Sequence, residues 1–190
     1  MSDAPSGGSA ATGHAPAGPG SDPFALLGLP RGMAVDPHAL DEAYRALQAQ
    51  VHPDRFADKS EAERRVAMQW AAATNEAYRV LKKPLPRAKY LIEAAGVGLG
   101  EQDNTAMPAE FLMQQMEWRE HVAEARAHRD DKGLRHIEHA IRGAEVELWP
   151  LLESCIAGAD WTHAADVWRR LRFLEKLHDD IEDVRSALLD

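Results

Sequence analysis

The chain has 190 residues, of which 45% are hydrophobic and 28% are charged, a composition typical of globular proteins with a buried core. Its formal net charge is -9, and the charge is distributed unevenly along the chain. Residues 22–95 carry eleven Lys and Arg against ten Asp and Glu, whereas residues 96–190 carry eleven Lys and Arg against twenty Asp and Glu. No basic stripe suits a phosphate backbone and no apolar run reaches about eighteen residues, so neither nucleic acid nor a membrane is an expected partner.

The single cysteine, Cys155, excludes an internal disulfide framework and an all-cysteine metal site, and it fits a reducing compartment. Residues 1–21 are rich in Ala, Gly, Ser and Pro and lack Lys and Arg, so they match neither a secretory signal nor a transit peptide. We therefore expect a disordered tail over residues 1–21 and a cytoplasmic protein.

Residues 22–96 predict a helical hairpin with short flanking helices. A short apolar segment from Phe24 to Pro30 comes first, and Asp36-Pro37 then begins a helix that Pro53 ends. A second, longer helix starts at Ser60, with Glu63 placed for a capping box. Its apolar stripe consists of Val66, Trp70, Ala73, Ala77, Val80 and Leu81. A last short helix runs from about Pro86 to Ala95.

The Gly-rich and polar segment 97–107 is typical of a linker. Amphipathic periodicity then predicts three helices, at about 108–130, 134–157 and 160–189, joined by short turns. Short turns between neighbouring helices favour an antiparallel three-helix bundle over residues 108–190. The predicted fold class is therefore all-α, with two domains.

The sharpest local motif is His52-Pro53-Asp54, which joins the two hairpin helices. Because Pro53 has a fixed φ and cannot continue a helix, the imidazole and the carboxylate are expected at a rigid, exposed corner. Such a carboxylate suits a charge-assisted hydrogen bond to an arginine of a partner, worth about 1.5–3 kcal/mol. The alternative is an ordinary turn without a binding role.

Together with Arg55-Phe56 and the apolar segment that starts at Phe24, this motif resembles the J-domain, a module that stimulates ATP hydrolysis by DnaK-like chaperones. The resemblance implies a chaperone-binding surface of His52, Pro53, Asp54, Arg45 and Arg55. J-domains usually carry several basic residues on the helix before the motif, whereas residues 36–51 contain only Arg45. Electrostatic docking is therefore expected to be weaker or to use fewer contacts.

The second half lacks the Gly/Phe-rich stretch and the zinc-binding Cys repeats of general J-proteins. Three segments instead resemble the iron–sulfur cluster co-chaperones of the HscB type: residues 84–91 (PLPRAKYL), 111–120 (FLMQQMEWRE) and 170–177 (RLRFLEKL). The resemblance covers about residues 22–190.

Helix geometry also predicts a binding face on the helix at 108–130. At about 100° per residue, Phe111, Trp118, Val122 and Ala125 share one sector, which we expect to face the core. Apolar and acidic residues share roughly the opposite side, which is unusual for a plain bundle helix. The resemblance implies that these residues and one more bind the cluster scaffold: Leu112, Met113, Met116, Glu117, Glu120, Glu124 and Phe173. The alternative is that this patch packs on another helix.

The resemblance implies a co-chaperone without a cofactor or catalytic site. It would bring an IscU-type scaffold protein to a DnaK-like chaperone of the HscA type, and the cluster would leave the scaffold when ATP is hydrolysed. One alternative is a general J-domain co-chaperone with another client. Another is a small metal-binding protein that uses its histidines, since His136 and His139, and His121 and His128, share helix faces. These pairs lack a recognisable metal-ligand spacing, so solvated helix faces are favoured.

Overall fold

The computed structural model describes residues 18–100 and 107–189, and these residues contain no strand. In these ranges seven α-helices and one 3-10 helix occur in the order α1 (Pro23–Leu26), α2 (Pro37–Val51), the 3-10 helix (Pro53–Phe56), α3 (Glu61–Lys82), α4 (Pro84–Ala94), α5 (Ala109–His128), α6 (Asp131–Ala157) and α7 (Trp161–Leu189). The predicted all-α class is confirmed. Within the described part of the chain, no helix is both long enough and apolar enough to cross a bilayer.

The chain forms two compact units. The first contains the described residues up to Pro30 together with Pro37–Tyr78, and the second contains Arg31–Asp36 and the described residues from Arg79 onward. This division places α4 in the second unit, whereas the predicted J-domain extends to residue 96, so the predicted domain boundaries stay a prediction. Residues 1–17 of the predicted tail and residues 101–106 of the predicted linker lie outside the described residues.

In the first unit, local sequence signals define the ends of the helices. The Asp22 carboxylate accepts hydrogen bonds from the amides of Phe24 and Ala25, at 2.8 and 3.3 Å, and so caps α1. Helix α2 begins at Pro37 and ends at Val51, because a residue that precedes a proline is disfavoured in the α region. The large apolar side chains buried in this unit are Phe24, Leu26, Leu27, Leu40 and Val51.

Helix α3 begins with the predicted capping box. The Ser60 amide donates to Glu63 Oε2 at 2.9 Å, and the Glu63 amide donates to Ser60 Oγ at 3.3 Å. The Ser60 hydroxyl also donates to Glu63 Oε2, at 2.6 Å, and this bond, together with the bond from the Ser60 amide, lowers the pKa of the Glu63 carboxyl. The predicted apolar stripe of α3 is wrong at one residue. Val66 is 51% exposed, and its neighbour Ala67 is buried instead.

The second unit contains the predicted three-helix bundle, in which α5, α6 and α7 all contact one another. Helix α5 ends at His128, and Arg129 adopts a left-handed conformation with a φ of 52°. The Asp130 carboxylate accepts a hydrogen bond from the Gly133 amide at 3.0 Å. Because this cap satisfies a free amide of the first turn, α6 begins at Asp131 and not at residue 134 as predicted.

Helix α4 packs against α7 and α6 within this unit. The buried indole of Trp168 on α7 donates a hydrogen bond to the Leu85 carbonyl at 2.9 Å. Arg87, which is only 8% exposed, donates from Nε to the Leu81 carbonyl at 2.9 Å and from Nη1 to the Met33 carbonyl. Burial lowers the pKa of the Arg87 guanidinium. Helix α4 is therefore part of the core of the second unit.

An ion cluster joins α6 to the end of α7. Arg185 on α7 lies 2.9 Å from Glu138 Oε1 and 3.4 Å from Asp131 Oδ1, both on α6. The hydrogen bond from Arg185 lowers the pKa of Glu138. The cluster therefore connects residues that are about fifty positions apart in the chain.

Candidate functional site

The His-Pro-Asp motif forms a short, well-defined corner after α2. His52 has extended backbone angles, φ -60° and ψ 131°, and Pro53 begins the 3-10 helix directly after it. The Arg55 amide donates to the His52 carbonyl at 3.0 Å, and the Ala57 amide donates to the Asp54 carbonyl at 3.4 Å. These backbone bonds hold the motif in one turn, as the proline predicts.

The two polar side chains of this corner are accessible. The Asp54 side chain is 89% exposed and the His52 side chain 53% exposed. His52 Nδ1 accepts a hydrogen bond from the Asp54 amide at 3.3 Å and lies 3.5 Å from the Asp54 carboxylate. The ring is therefore held beside the carboxylate, and both groups face solvent, where a partner can reach them.

The two basic residues predicted to bind the chaperone are also exposed, and each donates a hydrogen bond to a backbone carbonyl of α2. Arg45 Nε donates to the Asp41 carbonyl at 3.1 Å within the helix. Arg55 Nη1 donates to the Ala49 carbonyl at 3.0 Å, near the C-terminal end of α2, where cations are favoured. Arg55 thus connects the corner to α2, a structural contact that the motif alone did not predict.

Two tyrosines join α2 to α3 and support the corner. The rings of Tyr44 and Tyr78 are stacked, with centroids 4.2 Å apart. Tyr44 Oη donates to Asn75 Oδ1 at 2.9 Å, and Tyr78 Oη donates to Asp41 Oδ1 at 2.7 Å. Because these bonds cross between the two helices, the hairpin that carries His52 and Asp54 is held in one arrangement.

On α5 the structure separates a buried face from an exposed face, as the periodicity predicts. Phe111, Trp118, Val122 and Ala125 are all buried, and Gln115, which the apolar pattern missed, is buried with them. The predicted scaffold-binding side chains of α5 lie on the other face. Met113 and Met116 are 63% and 71% exposed, Leu112 is half-buried, and Glu117, Glu120 and Glu124 are exposed.

Phe173, the one predicted scaffold-binding residue on α7, lies beside α5. Its ring centroid is 6.0 Å from that of Phe111, edge to face, and 6.4 Å from that of Trp118, nearly parallel. These distances are typical of favourable aromatic pairs. Because Phe173 is half-buried, part of its ring remains accessible beside the exposed residues of α5.

Two arginines that the sequence analysis did not single out lie over this aromatic cluster. The guanidinium carbon of Arg119 is 5.1 Å from the centroid of Phe173, and that of Arg170 is 5.6 Å from the centroid of Phe111. Both distances suit a cation–π interaction. The alternation of Arg with aromatic residues in both segments was a signal, but the sequence did not show which ring each arginine would meet.

The histidines of the alternative metal site lie on exposed helix faces. His121 and His128 are exposed on α5, and His136 and His139 are exposed on α6. Within the described ranges, no three His, Cys, Asp or Glu side chains are grouped so that they could hold a metal ion.

Comparison with known families matches both parts of the chain. A DnaJ domain model matches residues 22–90, and a model described as the HSCB C-terminal oligomerisation domain matches residues 107–182. A co-chaperone protein HscB homolog from Aromatoleum aromaticum is 50% identical over 168 residues, which cover 88% of this chain and 95% of that protein. A co-chaperone protein HscB homolog from Bordetella pertussis is 47% identical over 161 residues, covering 84% and 94%.

Two solved structures are similar in fold. Chaperone HscB from Vibrio cholerae has a TM-score of 0.77 at 36% identity, covering 88% of this chain and 99% of that one. Human co-chaperone protein HscB has a TM-score of 0.80 at 28% identity, covering 86% and 82%. The residues matched by the two family models, 22–90 and 107–182, include the corner and α5.

Proposed function

Because this chain belongs to the HscB family of J-domain co-chaperones, we propose that it delivers an IscU-type cluster scaffold protein to an ATP-hydrolysing chaperone of the HscA type. In this proposal the protein acts in iron–sulfur cluster biogenesis by bringing two partners together, and it has no chemical step of its own. The cluster is cargo of the scaffold. The single cysteine fits a reducing compartment such as the bacterial cytoplasm.

The observation that carries the proposal is the accessible carboxylate of Asp54. At 89% exposure it can accept a hydrogen bond from a partner, and a charge-assisted bond of this kind contributes about 1.5–3 kcal/mol. The backbone bonds of the 3-10 helix hold Asp54 in place before binding, so little conformational entropy is lost when a partner docks. His52 and Arg55 lie on the same short segment and extend the surface.

The exposed face of α5 supports the second half of the proposal. Two methionines that are more than 60% exposed on one helix are unusual in a bundle, because apolar side chains normally face the core. Methionine suits a docking surface, since its flexible side chain adapts to the shape of a partner. The neighbouring carboxylates favour a partner with basic residues at the rim of the contact.

The match to the HSCB C-terminal model favours this function over a general co-chaperone with another client. A general J-protein would need the corner, but it would not need an exposed apolar and acidic face on α5. The histidine-based alternative gains no support from any cluster within the described residues.

The test compares two variants that affect different surfaces. Asp54→Asn should abolish stimulation of the chaperone ATPase and leave scaffold binding intact, with Asp58→Asn, an exposed carboxylate of the same loop, as the matched control. Met116→Ala combined with Glu120→Ala should weaken scaffold binding in calorimetry and leave ATPase stimulation without scaffold unchanged. Full stimulation by Asp54→Asn would refute the role of the corner. Unchanged scaffold affinity in the double variant would refute the role of the α5 face.

A further inference from the structure

A groove of about 310 Å³ lies between α5 and α7. Its apolar lining includes Val122 and Leu177, which are buried among the bundle residues. The two sides carry opposite charges, which come from Arg119 and Arg126 on α5 and from Asp180 and Asp183 on α7. The groove therefore combines an apolar floor with charged edges, the composition of a protein-binding site.

The charged edges are not paired with each other. In the ranges that the structure describes, none of the four side chains forms an ion pair within 4.0 Å. Arg126 is exposed, and Arg119 contacts the ring of Phe173. Their charges are therefore free to interact with groups that a partner brings.

The charges on the exposed part of α5 are separated by sign. At about 100° per residue, Glu117, Glu120 and Glu124 lie on one flank, and Arg119 and Arg126 lie on the other. Apolar residues, among them Leu112 and Met116, occupy the strip between the flanks. A partner that docks on this strip meets negative charge on one side and positive charge on the other.

The groove is continuous with the proposed scaffold-binding face through Arg119. The guanidinium of Arg119 lies over the Phe173 ring, 5.1 Å from its centroid, and the same side chain lines the groove. Further along α5, Arg126 lies two turns beyond Arg119 on the same flank. A scaffold protein that covers Phe173 and Met116 can therefore also contact the groove, because the groove directly adjoins the proposed scaffold-binding face.

We propose that the α5–α7 groove is a second contact region for the scaffold protein. It receives an apolar side chain of the scaffold on its floor and a neighbouring carboxylate at Arg126. The inference rests on the proposed function and extends its site. The other flank of α5 is acidic, so a scaffold docked in the reverse orientation would bring its carboxylate next to the carboxylates of that flank. The two flanks of α5 therefore determine the orientation of the scaffold.

The experiment is calorimetric titration of the full chain with the purified cluster-free scaffold protein. Arg126→Glu should weaken binding about tenfold, because it removes an attractive charge and adds a repulsive one. Lys132→Glu makes the same charge change at an exposed position on α6 and should alter the affinity by less than about twofold. ATPase stimulation measured without scaffold should be the same in both variants.

The outcomes separate this inference from the proposed function. Wild-type affinity in Arg126→Glu, together with weakened binding in Met116→Ala, would refute a role of the groove in scaffold binding and would support the role of the α5 face. Equal weakening by Arg126→Glu and Lys132→Glu would also overturn the groove, since net charge alone would explain the effect. Wild-type affinity in both Arg126→Glu and Met116→Ala would overturn the α5 face and the groove together.

Discussion

Replacing Trp168 with phenylalanine tests whether α4 belongs to the core of the second unit. The Trp168 indole is buried and donates to the Leu85 carbonyl of α4 at 2.9 Å. Loss of this neutral hydrogen bond costs about 1 kcal/mol. Loss of the pyrrole part of the ring from a close-packed site adds about 1 kcal/mol through the cavity it leaves. The variant should therefore be destabilised by about 2 kcal/mol, or about 4–8 °C in melting temperature for a chain of this size.

The assay is urea denaturation followed by far-ultraviolet circular dichroism, with thermal melting as a second measurement. Trp149→Phe is the matched control. It makes the same chemical change as Trp168→Phe, but Trp149 on α6 is only half-buried. The control should lose less than about 1 kcal/mol, since no buried hydrogen bond is removed. A Trp168→Phe midpoint equal to that of wild type, or equal to that of the control, would refute the contribution of this contact.

Two further predictions concern carboxyl groups with lowered pKa values. Because Arg185 lowers the pKa of Glu138, their ion pair stabilises the fold above the ordinary carboxyl pKa, and this contribution is lost as pH falls through the lowered value. The stability difference between wild type and Arg185→Leu should thus shrink from about pH 7 to about pH 3 in urea titrations, and a constant difference would contradict this. In Ser60→Ala the pKa of Glu63 should rise toward its ordinary value, because the variant lacks the Ser60 hydroxyl, whose hydrogen bond to Glu63 is the main cause of the lowering. Titration by nuclear magnetic resonance measures this pKa in both proteins. An equal Glu63 pKa in wild type and in Ser60→Ala would show that the capping box does not form in solution.

The helices of this chain could be predicted well from local signals. Pro37 and Pro53 bound α2, and the Ser60–Glu63 box begins α3, because proline geometry and capping act within a few residues of the chain. Errors appear where the tertiary fold decides between adjacent positions. Ala67 is buried and Val66 is exposed, although the valine is the more hydrophobic residue.

The candidate site was predictable to the same degree. The exposed corner follows from one proline, and the two faces of α5 follow from a repeat of about 3.6 residues. The arginines over the aromatic cluster were not predictable in this way. Arg119 meets a ring more than fifty positions away in the chain, and periodicity within one helix does not specify such a pair.

The sequence by itself determined the helical elements, the rigid corner at His52 and Asp54, and the exposed face of α5, because each depends on steric and hydrogen-bonding rules among neighbouring residues. Only the tertiary structure decided that α4 joins the second unit through Trp168, and that Arg119 connects Phe173 with a groove. The physical reason is that close packing selects contacts by the shape of whole helices, and shape complementarity between distant segments leaves no local pattern in the chain.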